Sequence, residues 1–175
     1  MLIIFVKNIK MTKEDIAKEI MNQFAKENSK PNHVIQLRWI TQVLIPRLNP
    51  KEQLLVNPAI NDLVNDGLVT VEERSGQCLV LTEKGFDLIY PIDENRAIEN
   101  IGKMIMQRFV ETKSKVNHVI DSRWINLTLL KRLNPKETAL VEKAITQLVE
   151  EGLITTEDRH GFCLVLTQKG FDSIY

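Results

Sequence analysis

The chain is poor in the residues that build covalent or metal-held scaffolds. It has two cysteines, Cys78 and Cys163, and three histidines in 175 residues. No CxxC pair or Cys/His cluster is present, so a zinc site and a disulfide framework are not expected. Both thiols read as small apolar side chains in a reducing cytoplasm. Long apolar runs are missing too. The longest, Met1–Val6, is far short of the roughly 20 residues a membrane span requires, and it has no secretory cleavage pattern. Nor is there an excess of either charge: 23 basic and 23 acidic residues give a formal net charge of zero. Nothing in the total charge draws the molecule to phosphate. No nucleophile–base pair, phosphate-binding glycine loop or paired-carboxylate signature is visible. Enzymatic activity and a cofactor are therefore not expected.

What is present is a duplication. A shift of 85 positions aligns residues 16–90 with 101–175 without a gap, with 44 of 75 positions identical. Asn32–Ile40 returns at Asn117–Ile125, Arg47–Glu52 at Arg132–Glu137, and Cys78–Asp87 at Cys163–Asp172. Each copy is long enough to hold a small core of its own. The expected organisation is an N-terminal extension over 1–11, a first domain over 12–90, a linker over 91–95 and a second domain over 96–175. Met11 is a plausible alternative start, just before a helix signal.

One copy reads as three helices and a hairpin. Thr12 with Asp15 resembles a capping box, and Ile16, Ile20, Met21 and Phe24 follow at helical spacing. A second helix is expected over about 32–48, apolar nearly all round and so central. A third opens at Asn49-Pro50-Lys51-Glu52, where Asn suits the N-cap, Pro the first helical position and Glu the N3 position. It ends at Gly67. In copy two this helix reads as unbroken from Pro135 to Glu151, whereas Pro58 is a candidate break in copy one. Two β-rich runs then flank turns at Ser75-Gly76 and at His160-Gly161. Thr82 caps a short last helix.

That order, in about 75 residues, is the order of a winged helix-turn-helix. The segments LVNDGLVTVEERSGQCLVLTEKGFD and LVEEGLITTEDRHGFCLVLTQKGFD resemble the corresponding part of MarR- and PadR-like winged-helix regulators. Leu63, Gly67, Leu68, Leu81, Thr82, Lys84 and Gly85 and their counterparts carry the likeness, which spans the last 30 residues of each copy. The fold class expected is α+β, mainly α, with two tandem winged helix-turn-helix domains. The resemblance implies that helix three enters a major groove and that the hairpin wing touches phosphates or a minor groove.

The residues bear on this unevenly. Helix three of copy one turns Lys51, Leu54, Asn57, Asn61, Asp62 and Asn65 away from its core. Asn57, Asn61 and Asn65 form a stripe suited to reading adenine; the alternative is a solvated helix face. Copy two has Lys136, Ala139, Glu142, Thr146, Gln147 and Glu150 there, with Lys143 beside them, and phosphate would repel its two glutamates. Either each half reads a different sequence, or only the first half reads, or the face binds something other than DNA. The hairpin tips are Arg74-Ser75 and Arg159-His160. The candidate DNA-contacting set is therefore Lys51, Asn57, Asn61, Asn65, Arg74, Ser75, Lys136, Lys143, Thr146, Arg159 and His160. Residues 16–90 carry 8 basic and 9 acidic side chains, and residues 101–175 carry 11 and 9. Trp39 and Trp124 read as core anchors, Arg38 and Arg123 as salt-bridge formers, His33 and His118 as capping-region residues. The leading expectation is a cytoplasmic regulator that binds double-stranded DNA, a pseudo-dimer in one chain. The alternatives are a protein-interaction scaffold using helix three of either repeat, and a plasmid or phage replication initiator.

Overall fold

The computed structural model describes residues 10–159 and 161–175. The proposed extension over 1–11 thus falls almost wholly outside the described residues, as does His160. The protein is α+β and mainly helical, with two small three-stranded antiparallel sheets. It divides into two compact units, Met1–Pro91 and Ile92–Tyr175.

In unit 1, α1 (Lys13–Lys26) starts at the Thr12–Asp15 capping box, with both reciprocal hydrogen bonds formed. The bonds that Asp15 accepts from Thr12 hold its carboxyl below the usual value. The helix buries Ile16, Ile20, Met21 and Phe24. The chain then turns through Asn32, at φ 68°, into strand β1 (Val34–Gln36). Here the expected second helix over 32–48 is corrected. The β-branched pair Val34-Ile35 joins the sheet, placing Val34 opposite Val80 and Ile35 opposite Leu79. An apolar run this short does not distinguish helix from strand by its period.

The helical segment that remains is short and irregular. It consists of α2 (Leu37–Trp39), a π turn over Ile40–Leu44 and a 3₁₀ turn over Ile45–Arg47. Pro46 has no N–H to donate back to Gln42, which suits a tighter turn. Where the second copy has Lys131, the turn is α-helical.

Asn49 caps α3 (Pro50–Gln53), receiving the Lys51 and Glu52 amides while Glu52 returns a bond to the Asn49 amide. Glu52 is buried, and its other oxygen accepts the Met11 amide at 2.8 Å. The chain then breaks at Leu54-Leu55 before α4 (Val56–Asn65). Pro58 does not cause this. Unit 2 breaks at the equivalent Ala139-Leu140 with Lys143 in place of the proline. The unbroken helix expected over Pro135–Glu151 is corrected likewise. Pro58 falls in the first turn of α4, where its missing N–H is among those without an intrahelical acceptor.

Strands β2 (Val69–Glu73) and β3 (Gln77–Leu81) form the hairpin, and β3 is the central strand of the order β1-β3-β2. Its residues Cys78–Leu81 are buried. Thr82 then caps α5 (Glu83–Ile89).

A clasp joins the end of α4, the start of β2 and α5. The Thr82 hydroxyl lies 2.7 Å from the Gly67 carbonyl oxygen and receives the Gly85 amide. The Lys84 ammonium donates to the Asp66 carbonyl at 2.7 Å, the end of α4 that favours a cation. A side chain at Gly85 would collide with the Leu68 carbonyl and sit 2.8 Å from the Leu81 side chain. The GL…LT.KG pattern is therefore a packing device.

Unit 2 repeats the plan: α6 (Glu94–Glu111), β4 (Val119–Asp121), α7 (Ser122–Trp124), a π turn over Ile125–Leu129, α8 (Leu130–Arg132), α9 (Pro135–Thr138), α10 (Val141–Glu150), β5 (Ile154–Asp158), β6 (Phe162–Leu166) and α11 (Gln168–Ile174). Its sheet order is β4-β6-β5. Lys169 and Gly170 repeat the clasp against Glu151 and Leu153. One difference stands at the start. Asp93 caps α6, so this helix has 18 residues against the 14 of α1.

Gly85→Ala should destabilise unit 1 by about 2–3 kcal/mol, because the new carbon meets backbone that cannot give way. Gly170→Ala should do the same to unit 2. Urea unfolding of each variant, followed through Trp39 or Trp124, checks both.

Candidate nucleic-acid interface

Helix α4 buries Val56, Ala59 and Leu63 against the unit 1 core. That fixes its opposite face outward: Asn57, Asn61 and Asn65 are all exposed. Leu54, in the break before the helix, is 76% exposed, the highest of the large apolar side chains among the described residues. Asp62 departs from the expected grouping. It is half-buried, and its carboxylate meets the Lys13 ammonium of α1. This partner raises the pKa of Lys13, chiefly through the hydrogen bond and then the opposite charge. With Asp62 turned toward α1, the outward stripe of α4 is neutral. Lys51 stands exposed one helix earlier, its amide held by the Asn49 cap.

The hairpin tip closes tightly. Ser75 and Gly76 take φ of 53° and 112°. Arg74 does not project freely from it. Its Nε donates to Glu72 Oε2 at 2.7 Å, and a terminal nitrogen donates to the Asn32 carbonyl at 3.1 Å. Gln36 returns a bond from β1 to the Arg74 carbonyl. The tip is therefore laced to the strand edge by Asn32 and Gln36, two residues that sequence reasoning passed over. An Asn in a turn and a Gln at a strand end carry no signal until β1 is known to be a strand.

In unit 2 the outward face of α10 carries Glu142, Lys143, Thr146 and Glu150, all exposed, over buried Val141, Ala144 and Leu148. Lys143 is 3.3 Å from Glu94 of α6. Lys136, half-buried on α9, has its amide in the Asn134 cap. Arg159 pairs with Glu157, and that carboxylate raises the guanidinium pKa above its ordinary value.

The structure thus gathers Lys51, Asn57, Asn61 and Asn65 on and before α4. It gathers Lys136, Lys143 and Thr146 on and before α10. Arg74, Ser75 and Arg159 lie at the hairpin ends. His160 lies outside the described residues. Arg38 is exposed and donates to Gln42 at 3.0 Å, a correction to the salt bridge expected there. Trp39 packs on the core of its unit, as does Trp124, with the Arg108 guanidinium 5.7 Å from the Trp124 ring centroid. Both cysteines are buried and free. Among the described residues, no group of three or more His, Cys, Asp or Glu could hold a metal ion. No helix there is long and apolar enough to cross a membrane. Comparison of the chain with protein-family models, with curated proteins and with solved structures returns no match.

Arg74→Ala should loosen the hairpin tip without unfolding the unit, since it removes two exposed hydrogen bonds and no core contact. Amide exchange at position 74 and at Gln77 should quicken while that of the β3 core stays unchanged. Unaltered exchange at the tip would mean that the lacing contributes nothing.

Proposed function

We propose that the chain is a double-stranded-DNA-binding protein built from two fused winged-helix units, acting in the cytoplasm as a transcriptional regulator. The observation that carries this reading is the Asn57–Asn61–Asn65 stripe. It is outward-facing, uncharged and set on the helix that follows a short helix and a turn. A side-chain amide has a donor and an acceptor side by side, the pair that matches adenine N7 and N6 in the major groove. Lys51 and the hairpin arginines supply phosphate contacts around it, and Lys136 and Lys143 do so for the second unit. The buried free thiols suit a reducing compartment. Fusion gives one chain the two reading heads that a homodimer otherwise brings together.

A second reading has its own observation. Arg74, Arg159 and Lys143 each meet a carboxylate, from Glu72, Glu157 and Glu94. Cations engaged in this way attract phosphate less, which favours a protein-interaction scaffold. A replication initiator has no observation of its own and differs from a regulator only in its target.

Selection from random duplex DNA, followed by salt titration on the winning site, separates the two readings. A DNA-binding protein should enrich a defined site, and its affinity should fall steeply as salt rises. Glu72→Gln and Glu157→Gln each remove the negative charge beside a hairpin arginine. Each should tighten binding and steepen the logarithmic salt slope by about 0.9 for every added phosphate contact. No enrichment even at low salt sinks the DNA reading and leaves the scaffold.

A further inference from the structure

The repeat makes one unit a control for the other, and the sharpest difference between them falls at the start of α4. Leu54 lies in the break and is 76% exposed. Leu44 and Leu48, a few residues earlier, are buried in the core. Asn57 and Asn61, four residues apart on α4 just after the break, share its outward face and are both exposed. In unit 2 the equivalent positions hold Ala139, Glu142 and Thr146, all exposed. The backbone is the same in both, including the break. Only the chemistry presented outward has changed.

We infer that the two units read unlike base pairs: Leu54, Asn57 and Asn61 select adenine–thymine pairs, and Glu142, flanked by Ala139 and Thr146, selects cytosine. This rests on the DNA-binding reading above and deepens it. The N-terminal part of a recognition helix is the part that meets base edges. In the major groove thymine presents its C5 methyl and its partner adenine presents N7 and N6. A water-exposed leucine matches the methyl, and the two amides match adenine. Glu142 offers acceptors alone. It suits the cytosine N4 amino group and meets adenine N7 as acceptor against acceptor. The site is then a composite of two unlike halves, which a homodimer of either unit would not read.

The test is duplex selection with the full chain and with a variant carrying Leu54→Ala, Asn57→Glu and Asn61→Thr. These are the residues unit 2 already holds at the same places, and an unchanged melting transition confirms folding. The native chain should enrich two unlike halves, one of them adenine–thymine. The variant should enrich two like halves and lose at least about tenfold in affinity for the native site. A finer readout replaces each thymine in the native site by uracil, which removes only the methyl. The native chain should weaken about three- to fourfold at one position, and Leu54→Ala should not respond there. Enrichment of two like halves by the native chain, or of the same site by both proteins, overturns the inference while leaving DNA binding intact. Absence of any enrichment overturns the DNA-binding reading, and the inference falls with it.

Discussion

The arrangement of each unit depends on how closely α5 approaches the start of β2. Gly85 has no side chain because the Leu68 carbonyl occupies that space, and Gly170 faces the Leu153 carbonyl in the same way. Thr82 and Lys84 then take the carbonyls at the end of α4. These contacts set the last turn of α4 against the base of the hairpin. The outward stripe of α4 and the hairpin tip are held on one small frame. The clasp adds to the backbone bond by which the Leu68 amide donates to the Leu63 carbonyl across the same junction.

A second constraint comes from β1. Three residues of edge strand bring Asn32 and Gln36 within reach of Arg74. The hairpin is thereby braced at its tip as well as its base. The arginine at each tip is engaged by the glutamate two residues before it, and Arg74 also by this bracing. Charge and position therefore pull in different directions. The hairpin ends stand in solvent, yet their cations are already partnered. The neutral stripe of α4 is the surface least burdened in this way.

Much of the fold was legible because it rests on local chemistry. Thr12 with Asp15, Asn49 with Glu52, and Thr82 before Gly85 are caps, and a cap depends on residues two or three positions apart. The hairpins were legible for the same reason. What was not legible depended on distant partners. Val34 and Ile35 become a strand because β3 lies beside them, and no window of sequence contains both. Asp62 sits at a helix position that simple periodicity turns outward, but Lys13 draws it toward α1. Pro58 is a candidate break from sequence, but the chain breaks at Leu54-Leu55, and the second copy has the equivalent break without a proline. Of the candidate interface, the asparagine face and the outward Leu54 were legible from spacing, whereas the bracing of Arg74 was not.

The central claim is that the asparagine face of α4 meets bases. It is tested most directly by the side-chain amide resonances of Asn57, Asn61 and Asn65, followed by nuclear magnetic resonance as a bound duplex is titrated in. Asn22, exposed on α1, serves as the reference. The account predicts that Asn57 and Asn61 shift and become protected from exchange with water while Asn22 does not. Binding that leaves those amides unmoved would contradict it.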